Sequence, residues 1–427
     1  MPSIRAVVFF LLFFPSLSKA QDKQVEGQVI DAQTQQALSY ASISILNTLK
    51  GTMTDEDGKF ALTFGESQDS ILISYIGYQD KVIALGNTNK LEIKLDPYEY
   101  KLAEVIVRPK SALYYIKEAV DRYPGTRSKN PFGAKAFFQE RTSLDNDKSN
   151  AYQLDRAIFK MYFPDFTDTT KNSQNQLVLY EFKEEGEAKS ILMDNKRVRR
   201  QAARDAKRKE KRRQRGEVVE DDEQENETKV NINLGDAGAG GPQMSLNLAQ
   251  TFIEESFFEE AYFKKYTYSF GEDSYYQGRQ LMAIDFFNKR KIEFTFSKGT
   301  VYLDKEDLAI VAISYNQRVK IPFYINALIK TVAGFKLNTV EMDVEVKNQK
   351  FNEYWYPKEV VGDILVQLEQ EKKLEDIRLK QFLNIYEIDL DEVEEIPMEL
   401  RFKKGEDMEP QQQNPQGLQW SDLKQKF

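Results

Sequence analysis

The stretch GTMTDEDGKFAL, residues 51–62, packs two aspartates, a glutamate and a glycine into Asp55–Gly58. It is either a calcium loop or a turn between strands. An EF-hand loop needs oxygen ligands at positions 1, 3 and 5, glycine at 6 and a bidentate glutamate at 12. With Gly58 at position 6, Met53 falls at 1 and Phe64 at 12, and neither side chain binds calcium. A hairpin fits instead. Thr52 and Thr54 precede Asp57-Gly58, an Asp-Gly pair tolerates the positive φ of a type I′ turn, and Phe60 and Leu62 alternate inward on the return strand. The stretch reads as a structural turn without a metal site.

The same rhythm continues on both sides. Val25, Gln28–Ile30, Tyr40–Ile45, Ile71–Tyr75 and Leu91–Leu95 are short β-branched runs with period-2 alternation, separated by Asp31, Asn47, Gly51, Gly58, Gly65, Gly77 and Gly86-Asn87. Residues 25–97 are therefore expected to form a small β-sandwich.

Four pieces occur here in order: Val25–Asp31 (VEGQVID), Ala41–Ile45 (ASISI), Gly51–Phe60 (GTMTDEDGKF) and Ser74–Tyr78 (SYIGY). Together they resemble the carboxypeptidase regulatory-like domain, a module of Bacteroidetes-type envelope proteins, over roughly residues 24–97. The resemblance implies a seven-stranded, transthyretin-like sandwich and no peptidase activity. Leu102–Val107 (LAEVIV) is similar to the segment that trails this module in TonB-dependent outer-membrane transporters. Their barrel of about 22 strands, at some ten residues per strand plus loops, does not fit the chain that remains.

Composition narrows the chemistry. The chain has 427 residues, a formal net charge of −8, 41% hydrophobic residues, and neither cysteine nor histidine. Cysteine nucleophiles, Ser-His-Asp triads and His- or Cys-ligated zinc are excluded. Arg5, the apolar run Ala6–Phe14 and Ser18-Lys19-Ala20 read as a secretory signal peptide, residues 1–20, with Gln21 as the mature N-terminus. No cysteine follows that site to carry a lipid, and no later stretch approaches the roughly 18 apolar residues of a transmembrane helix.

Beyond residue 97, Val105–Val107 reads as a linking strand ended by Pro109. Ser111–Tyr123 reads as a helix N-capped by Ser111, apolar at Leu113, Ile116, Val120 and Tyr123, and stopped by Pro124-Gly125. Strands are expected at Ala134–Arg141, Ala157–Phe163, Gln176–Phe182, Tyr266–Phe270, Leu281–Phe287, Lys291–Phe296, Val301–Leu303, Ala309–Tyr315, Leu337–Lys347, Glu353–Pro357 and Asp363–Leu368, with a second helix in Leu246–Phe263. The gaps are too short for parallel crossovers, so the sheet should be an antiparallel meander. Gly299–Val311 is similar to a hairpin of the half-barrel lipoprotein-carrier superfamily. Residues 194–245 oppose a basic block, Lys196–Arg215, to an acidic block and a Gly-rich run, and read as a disordered insertion. The basic block could alternatively serve as an arm for nucleic acid, anionic lipid or acidic glycan; export argues against nucleic acid. Gln425 breaks the alternation that a C-terminal barrel strand would need before Phe427.

Acidic candidates for glycan chemistry are Glu254, Glu255, Glu259 and Glu260, and the group Asp389, Asp391, Glu392, Glu394 and Glu395. Acidic runs are ordinarily solvated faces, so no catalytic, cofactor-binding or metal residue is assigned. The expected fold is mainly β, of the α+β class: a signal peptide (1–20), a seven-stranded β-sandwich (21–97), a linking strand (98–110), a larger antiparallel-sheet domain with a few helices (111–405) interrupted at 194–245, and a polar tail (406–427). The expected function is non-catalytic binding or scaffolding by an exported protein at the periplasmic face of the outer membrane. Its partner would be an envelope protein, glycan or lipid, not nucleic acid, with peripheral membrane association but no transmembrane helix. The alternatives are a lipid or hydrophobe carrier with a curved half-barrel sheet and, more distantly, a carboxylate-dependent glycan-acting enzyme.

Overall fold

A computed structural model of the chain describes residues 23–402 except 66–67, 87–88, 99–107, 145–151, 165–175, 187–244, 246–247, 250–251, 291, 293, 333–334, 371–372 and 392. The expected signal peptide, the expected linking strand at Val105–Val107, nearly all of the charged insertion and the expected polar tail lie outside the described residues.

The N-terminal strands are β1 (Lys23–Asp31), β2 (Ser42–Ile45), β3 (Gly51–Met53), β4 (Lys59–Phe64), β5 (Ser70–Ser74), β6 (Lys81–Ala84) and β7 (Lys90–Leu95). They form two sheets, in orders β4-β1-β7 and β3-β2-β5-β6, with β1 and β7 parallel. Val25, Val29, Ile43, Phe60, Leu62, Ile71, Ile73 and Ile93 point between the sheets into one core. The sandwich is as expected, but GTMTDEDGKFAL is not a hairpin. β3 pairs with β2, and β4 pairs with β1 in the other sheet, so the stretch crosses between layers. Its turn is not type I′ either. Gly58 N–H donates to Asp55 O, and within residues 55–58 only Gly58 has a positive φ, +74°. Asp57 keeps the ordinary negative φ because a crossover does not need the primed twist that joins two paired strands.

The motif residues build this module. The Asp55 carboxylate accepts from the N–H of Asp57 (2.9 Å) and of Lys59 (2.8 Å) and so shapes the crossover. Thr54 donates to Leu38 O at 2.6 Å and accepts from Ala41 N–H. Gly27 lies under Phe60, whose ring would stand 2.6 Å from any Cβ added there. Asp31 accepts from Tyr78 Oη at 2.6 Å, tying the first motif piece to the last.

Helix α1 (Ala112–Thr126) follows, capped by Ser111, whose Oγ accepts from Tyr114 N–H. The helix does not stop at Pro124; the proline sits in its last turns. Arg127 then turns inward, buried, donating to Asn348 Oδ1 (2.9 Å), Trp355 O (3.1 Å) and Tyr123 Oη (2.8 Å).

The second layer is an 11-stranded sheet: β8 (Phe132–Leu144), β9 (Tyr152–Phe163), β10 (Gln176–Gly186), β11 (Tyr266–Phe270), β12 (Ser274–Tyr276), β13 (Arg279–Asn288), β14 (Thr295–Asp304), β15 (Ile310–Lys320), β16 (Phe335–Phe351), β17 (Tyr354–Gln370) and β18 (Lys373–Asp389). The order is β10-β9-β8-β18-β17-β16-β15-β14-β13-β11, with β12 beside β13, and every pairing is antiparallel. The meander is as expected. Several elements differ: the expected strands Lys291–Phe296 and Val301–Leu303 become the single strand β14, which begins only at Thr295, with Phe294 in a turn. Glu353–Pro357 and Asp363–Leu368 are parts of one strand, β17. Strand β18 and helix α2 (Phe323–Val332) were not anticipated. Of the expected helix within 246–263, Leu248 and Ala249 are helical, and the later described residues form 3-10 turns at Phe252–Glu254 and Glu260–Lys265 instead. Phe252, Phe257, Phe258 and Phe263 do not recur at helical spacing, and each is buried against the sheet.

Alternation gives the sheet two distinct faces. The inner face (Phe138, Phe159, Ile284, Val301, Ile313, Val346, Val360, Leu383) carries α1 and the Phe-rich turns as one core. Phe257 stacks on Phe286 at 4.2 Å and meets Tyr315 at 5.3 Å. Farther along, α2 covers Leu337, Ile364, Val366 and Leu379 on the long strands.

Candidate functional site

The sandwich rests on the outer face. Met53 joins Phe137, Ile158 and Phe382 in a small apolar cluster, and Ile76 joins Tyr276, Leu281 and Trp355 in another. Tyr40 stacks on Phe382 at 5.9 Å, and Tyr98 on Tyr275 at 5.2 Å. Polar pins flank these contacts: Lys380 Nζ donates to Glu56 Oε1 at 2.7 Å, Lys50 pairs with Glu387 at 3.4 Å, and Asp80 accepts from Gly278 N–H. The acids of the opening stretch are thus engaged in protein contacts, Asp55 with backbone, Asp57 with Lys59 and Glu56 with Lys380.

Under the sandwich lies a buried ionic cluster. Register places Lys347 opposite Glu359, and Glu359 opposite Asn384. Lys347 Nζ lies 2.7 Å from Glu359 and 3.2 Å from Glu345, donates to Tyr40 O at 3.2 Å, and faces the Tyr75 ring. Burial opposes its charge, but Glu345 and Glu359 outweigh burial and hold its pKa well above the usual lysine value. Lys358 has no such support. It sits where β17 bulges between Pro357 and Glu359, points toward Gly51, and finds no hydrogen-bond partner for Nζ among the described residues. Burial pulls its pKa down from 10.5 to about 8, against the attraction of Glu359.

Beside the sandwich the outer face opens into a cleft of about 690 Å³, walled by Tyr40 and lipped by Phe287. Its acids are Asp285 on β13, Asp343 and Glu345 on β16 and Asp363 on β17, and Lys298 is the one cation among its described lining residues. Asp343 and Asp363 are direct cross-strand partners. Like charges opposed in this way destabilise a sheet. Side partners anchor the acids: Thr300 donates to Asp285 at 2.6 Å, Asn316 donates to Asp343 at 3.0 Å, and Arg378 lies 3.4 Å from Asp363. Beneath them Gly299 packs so closely on β15 that an added Cβ would stand 2.3 Å from Ser314 O. A junction between layers that offers carboxylates and aromatic edges suits a cationic or polyhydroxylated group.

The acidic residues singled out in the sequence lie elsewhere. Glu255 alone is drawn inward, accepting at 3.4 Å from Tyr315 Oη and Gln317, and burial raises its pKa. Glu254, Glu259 and Glu260 are exposed. In the second group Asp389 accepts from Asp391 N–H and Glu395 contacts Arg401 and Gln176, while Asp391 and Glu394 are exposed and Glu392 lies outside the described residues. The cleft acids and the Lys347–Glu359 pair were not singled out. Each reads in sequence as an ordinary outward position on a strand, and only the docking of a segment some 300 residues away sets it apart.

Residues 25–107 match the family described as the CarboxypepD_reg-like domain. The TonB-dependent receptor P3 of Formosa agariphila is 28% identical over 105 residues, 24% of this chain and 10% of that receptor, so the chain matches about a tenth of the receptor's length. Among solved structures, a LolA superfamily protein from Nitrosomonas europaea is 8% identical with a TM-score of 0.18, covering 69% of this chain and 98% of that one. A DUF1329 family protein from Desulfovibrio piger is 7% identical with a TM-score of 0.20, covering 67% and 96%.

Proposed function

We propose that the chain is a non-catalytic binding or scaffolding protein of the cell envelope, acting at the periplasmic face of the outer membrane, and that the cleft beside the sandwich is its binding surface. The observation that carries this choice over a carrier is the filling of the inner face. A carrier would hold its hydrophobe there, but α1 and the Phe-rich turns are packed onto it, with Phe257 on Phe286 at 4.2 Å. The regulatory-like domain match and the receptor similarity support an envelope setting. Among the described residues no helix is long and apolar enough to cross a membrane.

The cleft's chemistry favours a partner that presents lysine, arginine or sugar hydroxyls. Capture from an envelope extract by immobilised chain, compared with Asp343→Asn/Asp363→Asn, tests this. Removing the opposed charges should leave the melting temperature equal or higher while abolishing capture. Equal capture by both proteins would move the binding surface elsewhere.

A further inference from the structure

One end of the large sheet, remote from the sandwich, carries an aromatic tip. Lys320, the last residue of β15, pairs with Thr339 of β16, eight residues from Lys347, or roughly 27 Å at strand rise. Here α2 begins just after Pro322, with Phe323 86% and Tyr324 55% exposed. The helix is held from behind by Ile329 in the core and by Asn326 Oδ1, which accepts from Leu337 N–H at 2.7 Å. Its first turn therefore projects outward. Phe294 and Phe296, 46% and 43% exposed, belong to the same end: Phe294 O accepts from Lys320 N–H, and Phe296 pairs with Arg318.

The charge around this tip runs against that of the whole chain. Residues 288–298 contain Lys289, Arg290, Lys291 and Lys298 against Glu293, and residues 318–330 contain Arg318, Lys320 and Lys330 against no acid, in a chain of net charge −8; the neighbouring strands bring Glu341, 3.9 Å from Arg318, and Glu369, which pairs with Lys336. Among the described members, Lys289, Arg290, Arg318, Lys320 and Lys330 are all exposed, as is Lys298, which also lines the cleft. Phenylalanine and tyrosine ringed by cations match an anionic bilayer interface, where rings enter the headgroup level and ammonium or guanidinium groups meet phosphates.

We propose that this tip docks the protein on an anionic membrane surface, with Phe323 and Tyr324 entering the interface and Arg318, Lys320 and Lys330 engaging lipid phosphates. This deepens the envelope reading above and rests on it for the choice of membrane, but Phe323, Tyr324, Arg318, Lys320 and Lys330 do not line the cleft. The sandwich would then be held over the bilayer along a rigid sheet, with the cleft lying between it and the tip.

Flotation of the full chain with vesicles of one part phosphatidylglycerol to three parts phosphatidylethanolamine, against pure phosphatidylcholine, tests it. The chain should float with the anionic vesicles only, and high salt should weaken binding. Phe323→Asp/Tyr324→Asp should lose at least about tenfold in binding, and Arg318→Gln, Lys320→Gln and Lys330→Gln roughly fivefold each. Phe323→Trp should shift its emission to the blue with the same vesicles, a readout that does not depend on the charged variants folding. Asp343→Asn/Asp363→Asn should float like the wild type, so failure of the cleft and failure of the tip are told apart. The proposal is overturned if the wild type stays in the aqueous fraction, if the Phe323→Trp emission does not move, or if sedimentation velocity shows a dimer that the double aspartate variant splits, since a second copy would then cover the tip.

Discussion

Lys358 should destabilise the protein it helps to build. It is fully buried at the sandwich–sheet junction, and Nζ has no hydrogen-bond partner among the described residues. Burial lowers its pKa from 10.5 to about 8. At about 1.36 kcal/mol per pKa unit, carrying the charge into the fold at pH 7 costs about 3 kcal/mol. The sign follows from the depressed value. Between pH 8 and 10.5 the unfolded chain binds a proton that the folded chain does not, so stability rises with pH through that window and the full penalty stands below it. Lys358→Met keeps the volume and removes the charge. It should raise stability at pH 7 by up to about 3 kcal/mol, roughly 4 °C in Tm for a chain of this size. Thermal melts of the two proteins across pH 7 to 11 measure the difference, which should shrink toward zero at the top of the range. A variant that melts below the wild type at pH 7, or a gap that does not change with pH, would refute the reasoning.

Lys347→Met should do the reverse, costing about 3–5 kcal/mol in urea denaturation, because Glu359 is left buried without its cation; adding Glu359→Leu should recover much of the loss. Gly58→Ala forces a side chain into φ +74°, with its Cβ 2.5 Å from Val29 O, and should lower stability by more than the ~1 kcal/mol of left-handed strain alone, read as a drop in Tm. Phe257→Ala should cost about 3–5 kcal/mol by the same measurement, since the ring fills the inner face between Phe286 and Tyr315.

The legible parts of the fold were those set by local pattern. Period-2 runs located most strands, and the four motif pieces located the sandwich because each does a structural job: Gly27 clears Phe60, Asp31 anchors Tyr78, and Asp55 binds the crossover backbone. The crossover itself was mistaken for a hairpin because Asp-Gly between alternating strands looks the same whether its strands pair with each other or with strands of separate sheets. Strand β18 was missed although Ile377, Leu379, Gln381, Leu383 and Ile385 alternate inward; interleaved charges and the bulge near Glu387 hide the period. Helix α2 carried its own signal, Pro322 just before an apolar run. The cleft left no local trace. Tyr40, Asp285, Asp343 and Asp363 are far apart in sequence, and register and docking alone bring them together.

The most direct test of a scaffold with a filled inner face is its lipid content. An organic extract of the full chain, purified from an envelope without detergent and read by mass spectrometry, should contain no lipid in stoichiometric amount. About one lipid or other hydrophobe per chain would contradict the account, because α1 and the Phe-rich turns would then have to leave the sheet to admit it.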